Sequence, residues 1–338
     1  MFTILATSRS FGDGDLDLTA QLESLGYVVL RGPSDHELAA LAPLLAQADA
    51  WIAGTGPVEA RHLDAAPGLR IVARYGVGYE AVDVDAATGR GIHVTNTPGA
   101  NSDAVADHAI GLMLAALRFT VDGDRRVRVG DWAVRRGREL GTSTVGIVGF
   151  GRIGQGVARR LSGFGTRVLA ADPFMTDEQI AALGAEPATL ASIAAESDIV
   201  SLHAPGGQLV ADAAWLAAMK PGMLLVNTAR PDLVDETTLA DALRSGRLGG
   251  YAADTLDGDT AGSHDSPLLA ADLAERVVIT PHLGAQTVQA IDNMGRIAVE
   301  NALAVLEGLT PPNPVNTVPV RPVVSPPRNS PKVKDSRR

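Results

Sequence analysis

Short apolar runs alternate with longer Ala- and Leu-rich stretches over the first hundred residues. The runs are FTILATS, YVVL, DAWIAG, LRIVARYG and IHVTN. A short run rich in β-branched residues is typical of a buried strand, and the stretches between the runs are typical of helices. Because the two alternate, the pattern predicts an α/β unit in which helices cover parallel strands.

A second alternation begins at residues 144–149, TVGIVG. It continues through the runs TRVLAAD, SDIVSLHAP, MLLVNTAR, LGGYAAD and RVVITPH. Six strands, with helical segments between most of them, are the number expected of a complete doubly wound sheet. We therefore predict a second α/β domain after the first.

Two long helical stretches flank the second alternation. Residues 101–119 begin with the cap candidates Asn101 and Ser102 and continue as an apolar helix, which we expect to connect the domains. The stretch from Gln286 to Leu306 is expected to cross back to the first domain. The predicted fold class is α/β with two Rossmann-like doubly wound domains, a discontinuous one of residues 1–100 plus 285–310 and an inserted one of residues 101–284.

Composition narrows the class of protein. The 338 residues are 46% hydrophobic and 20% charged, as in a soluble globular protein. There is no cysteine, so a disulfide or thiolate metal site is excluded and a cytoplasmic location is favoured. The N-terminal run lacks the basic flank of a signal peptide, and no uncharged apolar stretch reaches membrane-spanning length. The net charge is −10, and the chain before residue 311 alone contains 23 Lys or Arg and 38 Asp or Glu residues, a charge of −15, which argues against a nucleic-acid-binding surface on that part.

Residues 311–338 form a Pro-rich, basic tail. They contain eight prolines, six Lys or Arg residues and one Asp. This composition has no amphipathic pattern, so we expect the tail to be extended or disordered. A basic tail can contact an acidic partner or nucleic acid, but a solvated terminus is the simpler interpretation.

The strongest local motif is TVGIVGFGRIGQGVARRL. Gly149, Gly151 and Gly154 have GxGxxG spacing directly after an apolar strand and at the start of a helix. Glycine there allows a tight turn and a close approach to a pyrophosphate, whose charge the helix N-terminus stabilises. Asp172 closes the next strand, where a carboxylate binds ribose hydroxyls and repels a 2′-phosphate, which favours NAD. The alternative is a tight turn without a ligand.

Four more polar residues each close a predicted strand: His203, Arg230, Asp254 and His282. Ligands bind at the carboxyl ends of strands in open α/β sheets, so these side chains predict a site. The sequence contains no HExxH motif, paired-Asp loop, thiol or GxSxG motif. We therefore expect neither a metal centre nor a serine nucleophile.

These stretches resemble the D-isomer-specific 2-hydroxyacid dehydrogenase family over roughly residues 1–316. The resemblance implies hydride exchange between NAD and C2 of a 2-hydroxy or 2-keto acid, with an Arg, a carboxylate and a His as the catalytic set. It also implies a homodimer, an NAD-binding second domain and a substrate-binding first domain. The motifs that carry it are RYGVGYEAVD, GIHVTNTPGANSDAVADHAIGLMLAALR, GRELGTSTVGIVGFGRIG, SDIVSLHAP, MKPGMLLVNTARPDLVDE, GGYAADTLDGD and ITPHLGAQT.

Matched by position, Arg230 falls on the family's substrate-binding arginine and His282 on its acid/base histidine. The family's acid lies five positions after the strand-end aspartate, at Asp259, where the family typically has glutamate. Aspartate is one methylene shorter, so Asp257, or neither residue, is the alternative. The backbone amides of residues 76–78 resemble the family's carboxylate-binding loop. The implied substrate-binding residues are Gly76, Val77, Gly78 and Arg230, and the implied cofactor-binding residues are Gly149, Gly151, Arg152, Ile153, Gly154, Asp172, His203, Thr228, Asp254 and Gly284.

Two departures from the family pattern concern the substrate. Pro231 and Asp232 follow Arg230 where the family commonly has glycine, and HAPGGQLV replaces a Leu-Thr-Pro-rich loop. The stretches ATSRSFGDGD and AGTGPVEA are similar to a phosphoglycerate dehydrogenase-like branch, whose phosphate-binding arginine after the third strand is missing here. Arg9 and Arg74 are candidate substitutes.

Other interpretations stay open at this point. One is a phosphite or phosphonate dehydrogenase of the same fold, and another is a weakly catalytic NAD-sensing interaction protein. His203 either lines the cofactor site or packs at its strand end. Trp132 lies in a segment that resembles the family's dimer contact, and an ordinary core aromatic is the alternative.

Overall fold

The computed structural model describes residues 1–258 and 265–319, and the chain divides into two compact units. The first unit comprises Met1–Ala100 and the chain from Ile291 onward, and the second comprises Asn101–Ala290. The division at residue 101 lies where the sequence analysis placed a domain boundary. The second division lies later than the expected change at residue 285.

The first unit is built on a parallel sheet with the strand order β2-β1-β3-β4-β5. Its central strands are buried on both faces because helices cover the sheet, and Leu5, Trp51 and Val72 belong to its core. The strands are β1 (Thr3–Ala6), β2 (Val28–Arg31), β3 (Ala50–Ala53), β4 (Ile71–Arg74) and β5 (His93–Thr95). The helices are α1 (Leu18–Ser24), α2 (Leu38–Leu45), α3 (Ala60–Asp64), α4 (Val84–Gly89) and the late helix α12 (Val288–Leu306).

The second unit is built on a parallel seven-stranded sheet with the order β12-β11-β10-β9-β6-β7-β8. The strands are β6 (Thr144–Val148), β7 (Arg167–Ala171), β8 (Glu186–Pro187), β9 (Ile199–Leu202), β10 (Met223–Asn227), β11 (Leu248–Ala253) and β12 (Val277–Ile279). The helices are α5 (Ser102–Leu117), α6 (Thr120–Arg128), α7 (Arg152–Ser162), α8 (Asp177–Ala182), α9 (Leu190–Glu196), α10 (Ala213–Ala218) and α11 (Glu236–Arg244).

Both faces of this second sheet are covered by apolar cores. Successive residues of β10 alternate between them, since Leu225 packs in one cluster and Leu224 and Val226 in the other. The strand order reverses between β6 and β9, and such a switch point opens a crevice at the carboxyl ends of the strands. The predicted α/β class with two doubly wound sheets is confirmed.

The second sheet has one strand more than the six predicted. The additional strand, β8, contains only Glu186 and Pro187 and pairs with β7 at the edge of the sheet. A two-residue edge strand has no apolar run, so hydrophobic patterning does not reveal it. Within residues 1–258 and 265–319, no single helix has the length and apolar character to cross a membrane. Only the α5–α6 pair, bent by 60°, reaches both when taken together.

The tail was expected to be extended or disordered, and its first residues pair with the first sheet. Pro314 forms an antiparallel bridge with Thr95, and the amide of Val315 donates to the carbonyl of Val94 at 2.8 Å. The Asn316 side chain accepts a hydrogen bond from the amide of Val94 at 2.7 Å. These residues cover the outer edge of β5, whose backbone groups have no other described strand to pair with, and this pairing orders a segment for which composition alone predicts an extended or disordered chain.

Candidate active site

The carboxyl ends of five strands in the second unit lie in register. Val148 pairs with Leu202, Leu202 with Asn227, Asn227 with Ala253, and Ala253 with Ile279. The residues that follow these strand ends therefore lie along one edge of the sheet. They are Gly149, His203, Thr228, Asp254 and Thr280, and four of the five belong to the predicted site.

The glycine-rich turn after β6 has the geometry that its sequence predicts. Gly149 has φ +89°, and a Cβ there would lie 2.6 Å from the amide nitrogen of Ala204. A Cβ on Gly154 would overlap the carbonyl oxygen of Gly149. These two glycines are needed for the fold of the turn itself.

Gly151 differs, because a Cβ on it would meet no atom within 4 Å. Gly151 is the N-cap of α7 and makes no side-chain cap, so the first amides of this 11-residue helix have no capping oxygen from that residue. An uncapped helix N-terminus beside an open glycine suits a pyrophosphate. Arg152 is exposed and Ile153 half-buried at the same helix start.

Asp172 follows β7 and contacts the glycine turn directly. Its Oδ2 accepts a hydrogen bond from the amide of Phe150 at 2.7 Å, and its Oδ1 accepts from the amide of Phe174 at 2.8 Å. These bonds fix the carboxylate beside the turn, as the ribose-binding prediction requires.

Three polar atoms along this edge are buried and have no hydrogen-bond partner among the described residues. They are Nδ1 of His203, Oγ1 of Thr228 and Oγ1 of Thr255, which follow three neighbouring strands. Burial lowers the pKa of His203 to about 4, so its ring is neutral at physiological pH. Buried polar groups are normally paired, so this row fits a polar ligand that supplies the missing bonds.

Arg230 lies in a turn that the side chain of the buried Asn227 stabilises. Asn227 ends β10 fully buried, its Oδ1 accepts from the amide of Ala229 at 3.0 Å, and its Nδ2 donates to the carbonyl of Arg230 at 2.8 Å. Arg230 itself is half-buried in extended backbone and donates from Nη1 to the carbonyl of Ala229. Sequence reasoning missed Asn227, whose position at a buried strand end was the available signal.

His282 is presented by a turn that Asp254 holds. Oδ1 of Asp254 accepts from the hydroxyl of Thr280 at 2.5 Å and from the amide of Leu283 at 2.9 Å, and Oδ2 accepts from the amide of Gly284 at 2.7 Å. His282 is exposed and has φ +53°, a left-handed conformation that costs a non-glycine residue about 1 kcal/mol or more. The bonds from Asp254 on either side of His282 maintain that conformation.

Asp254 was predicted as a cofactor-binding residue, and the structure adds this second task. Burial alone raises the pKa of a carboxyl group, but the hydrogen bonds from His108, Thr280 and the two loop amides outweigh it and hold the pKa of Asp254 below its usual value. His108 lies on α5, and its Nε2 is 2.9 Å from Oγ1 of Thr280. Gly284 must be glycine because a Cβ would lie 2.9 Å from Oδ2 of Asp254.

Asp259, the predicted catalytic acid, lies outside the described residues. On the near side of that gap, Asp257 is exposed, and its amide donates to Oε1 of Glu236 at 2.8 Å. On the far side, the hydroxyl of Ser266 donates to Oε2 of the same carboxylate at 2.5 Å. Glu236 on α11 thus binds both described flanks of the segment that contains Asp259.

The predicted carboxylate-binding loop, residues 76–78, belongs to the first unit. All three of its carbonyls accept hydrogen bonds: Gly76 from the amide of Thr97 at 3.0 Å, Val77 from the Asn96 side chain at 2.8 Å, and Gly78 from Nε of Arg74 at 2.8 Å. None of the three amides donates to a described residue. The three residues are half-buried, and amides that no neighbouring group accepts are donors of the kind that an anion can accept.

Two side chains differ from one of their sequence interpretations. Arg74, a candidate for phosphate binding, is buried, and its guanidinium donates to the carbonyls of Gly78 and Ala53. Trp132 is 77% exposed, which excludes the interpretation as a core aromatic of this chain. Arg9 is exposed.

Comparisons with known proteins identify the family. Residues 110–284 match the model described as "D-isomer specific 2-hydroxyacid dehydrogenase, NAD binding domain". The chain belongs to the D-isomer specific 2-hydroxyacid dehydrogenase family. This membership confirms the predicted family, and the matched domain agrees with NAD as the predicted cofactor.

Curated relatives and a solved structure agree with this assignment. The chain is 42% identical to a D-3-phosphoglycerate dehydrogenase from Mycobacterium leprae over 84% of its own length, and it spans about half (54%) of that relative. It is 41% identical to a glyoxylate reductase from Korarchaeum cryptofilum, covering 79% of this chain and 83% of the relative. A Thermus thermophilus protein of known structure, TT0316, has a TM-score of 0.82 and 36% identity, with 93% of this chain and 100% of that chain covered.

Proposed function

We propose that this protein is an NAD-dependent dehydrogenase that exchanges a hydride at C2 of a D-2-hydroxy or 2-keto acid. The observation that carries the proposal is the single strand edge of the second unit. Three turns follow strand ends that lie in register. They are the glycine turn suited to a pyrophosphate, the turn that presents Arg230, and the turn that presents His282 and is held by Asp254. Ligands of doubly wound sheets bind at this edge.

The residues present fit NAD. The open Gly151, the start of α7 and the carboxylate of Asp172 would hold the pyrophosphate and ribose, and the unpartnered atoms of His203 and Thr228 would bind the remaining polar groups. NAD bound there supplies the acceptor or donor of the hydride. A bound pyrophosphate would also explain the glycine at position 151, because the protein leaves room there for a larger side chain and the fold of the turn alone does not need a glycine.

Each catalytic residue has a defined task. The planar guanidinium of Arg230 binds the substrate's carboxylate or C2 oxygen and stabilises the negative charge that develops on that oxygen. His282 removes the proton from the C2 hydroxyl during oxidation and returns it during reduction, because imidazole titrates near neutral pH. Asp259, which lies outside the described residues, is the proposed acid: a carboxylate that accepts a hydrogen bond from the other ring nitrogen would set the tautomer of His282.

We also propose that the unpartnered amides of residues 76–78 bind the substrate's carboxylate. A carboxylate binds strongly to several backbone amides, and this loop offers three amides that no described residue accepts. The relatives' names leave open whether the substrate carries a phosphate, since both phosphoglycerate dehydrogenases and glyoxylate reductases are among them.

We further propose a cytoplasmic homodimer. Exposed apolar side chains cluster in one segment of the second unit, with Val129, Trp132 and Val134 at least 77% exposed. Apolar side chains clustered on a surface mark interfaces. Analytical ultracentrifugation of the wild type and of Trp132→Ser tests this proposal, which predicts a dimer weakened by the substitution.

The proposed activity is tested by following NADH oxidation at 340 nm with glyoxylate, pyruvate, hydroxypyruvate, 3-phosphohydroxypyruvate and phosphonate analogues. His282→Ala is expected to lower kcat by roughly 10² to 10⁴ for the compound that the wild type reduces, with NADH affinity unchanged. Arg230→Lys keeps the charge but loses the planar fork, so it is expected to be nearly as inactive as Arg230→Ala. Undiminished turnover in His282→Ala contradicts the proposed role, and tight NADH binding without any turnover favours an NAD sensor.

A further inference from the structure

The two departures from the family pattern, Asp232 and the Gly206–Gly207 pair, meet in space. Asp232 lies in the short 3₁₀ helix Pro231–Leu233 directly after Arg230, and its Oδ2 accepts a hydrogen bond from the amide of Gly207 at 2.6 Å. The two glycines lie in the loop between β9 and α10. The Asp232 departure and the glycine-pair departure are therefore in direct contact with each other.

Gly206 provides the space for this arrangement. A Cβ on residue 206 would lie 2.9 Å from Oδ1 of Asp232, 3.0 Å from its Oδ2 and 3.3 Å from Cγ of Arg230. The carboxylate and the stem of the arginine thus border the same small volume, which any larger residue would fill. The glycine pair allows a negatively charged side chain to lie beside the arginine assigned to the substrate.

The effect on a substrate follows from charge. Arg230 attracts the single negative charge of a keto-acid carboxylate, and Asp232, whose carboxylate borders the same volume as Cγ of Arg230, adds a fixed negative charge to this neighbourhood. In a three-carbon acid, a phosphate on C3 remains within roughly 5 Å of the reacting carbon, since each bond adds about 1.5 Å. A second, divalent anion on the substrate is therefore repelled where a neutral hydroxyl or a hydrogen is not.

An arginine of the first unit also argues against a phosphorylated substrate. Arg74, one of the two arginines that could replace the missing phosphate-binding residue, is buried and bonded to two backbone carbonyls. Its guanidinium supports the loop of residues 76–78.

We propose that Asp232, seated on the Gly206–Gly207 loop, is a specificity-determining residue that selects 2-keto acids whose only anionic group is the carboxylate and discriminates against phosphorylated ones. The inference rests on the proposed function and names its substrate class. It separates this chain from those relatives that are named phosphoglycerate dehydrogenases. Asp232 acts on the substrate through its charge, while its hydrogen bond to Gly207 holds it in position.

The test compares kcat/KM for hydroxypyruvate and 3-phosphohydroxypyruvate, which differ only by the phosphate, in the wild type and in Asp232→Asn. Asparagine has the same size and keeps an oxygen for the amide of Gly207, so the substitution removes the charge and retains the structure. We expect the wild type to prefer hydroxypyruvate at least tenfold. In Asp232→Asn this preference should shrink about three- to tenfold, because kcat/KM rises more for the substrate that carries a phosphate as well as a carboxylate than for hydroxypyruvate, which carries the carboxylate alone.

Salt and a matched variant separate the charge effect from a structural one. The preference of the wild type should weaken in about 0.5 M salt, because exposed charges are screened over distances of several ångströms. Asp241→Asn removes the same charge from an exposed position on α11 and should leave the preference unchanged. Gly206→Ala, which crowds Asp232 and Arg230, should lower kcat for both compounds.

Equal kcat/KM for the two compounds in the wild type overturns the inference and leaves the proposed function standing. An unchanged preference in Asp232→Asn likewise overturns it, since the discrimination would then arise elsewhere. If neither compound nor any other keto acid is reduced, the proposed function fails and this inference fails with it.

Discussion

Replacing Asp254 by Asn tests the claim that this carboxylate holds the turn of His282, the proposed acid/base residue. The side chain is 6% exposed and receives hydrogen bonds from Thr280, Leu283 and Gly284. Asparagine keeps only one acceptor oxygen. If that oxygen faces Thr280 and Leu283, its NH₂ group opposes the amide of Gly284, whose buried N–H then has no acceptor.

The magnitude follows from these contacts. A buried donor without an acceptor costs about 1–3 kcal/mol, and a hydrogen bond to a neutral oxygen is weaker than one to a carboxylate by about 1 kcal/mol. We expect Asp254→Asn to lower the free energy of unfolding by about 2–4 kcal/mol. In a domain of this size the Tm then falls by about 5–15 °C. The turn that keeps His282 at φ +53° loosens at the same time, so kcat should fall at least tenfold.

Scanning calorimetry and steady-state kinetics check this prediction, with Asp257→Asn as the matched control. Asp257 lies in the same segment, but its side chain is exposed and only its amide is bonded, so its substitution should shift the Tm by less than about 2 °C. Unfolding measured over a series of pH values also tests the direction of the pH dependence. The pKa of Asp254 is lowered on folding, so its contribution to stability is full above the unfolded value near 3.9 and is lost as the pH falls through the lower folded value. An Asp254→Asn protein as stable and active as Asp257→Asn refutes the reasoning.

Three further predictions concern the cofactor site and the first unit. Gly151→Ala should lower the Tm by no more than a few °C, because no atom lies within 4 Å of the new Cβ and only the weaker N-cap preference of alanine acts on stability. The same change should weaken NADH binding at least tenfold in a fluorescence titration; an unchanged Kd contradicts the assigned pyrophosphate site. Asp172→Ser should raise the NADPH to NADH ratio of kcat/KM at least tenfold, since the carboxylate no longer repels a 2′-phosphate; a constant ratio counts against the ribose assignment. Burial lowers the pKa of His36 to about 4 in the folded protein, whereas the unfolded chain takes up a proton on this side chain near pH 6.5. The contribution of the neutral ring to the free energy of unfolding is therefore full above pH 6.5 and should be lost, by about 3 kcal/mol, as the pH approaches 4. Urea unfolding at pH 7.5 and 4.5 measures this loss, which His36→Gln should reduce; equal losses in both proteins exclude His36 as the cause.

Hydrophobic patterning predicted the sheets and the edge that carries the site. Parallel strands place their carboxyl ends together, so the sequence alone predicts that closing residues such as His203 and Asp254 lie along one edge of the sheet. The same pattern did not reveal β8, which has only two residues, or the packing of Asn316 on β5. Those features depend on an edge strand and on contacts between residues more than two hundred positions apart.

The tasks of the supporting residues also required the structure. Asp254 binds groups 26 to 30 residues away in the chain, and the orientation of the residue 76–78 amides depends on Asn96 and Arg74. No local pattern encodes such pairings, because each partner is an ordinary polar residue in its own segment. The resemblance identified Asp232 as a departure, whereas its contact with Gly207 gave that departure a physical meaning.

The central claim is that this chain oxidises a D-2-hydroxy acid with NAD. The most direct test is NADH formation at 340 nm with the separate D and L enantiomers of lactate and glycerate, using the purified full chain. We expect NADH to form with a D enantiomer and not with its L counterpart. Equal rates with both enantiomers, formation from the L enantiomer alone, or no NADH with any of the four compounds would contradict the claim.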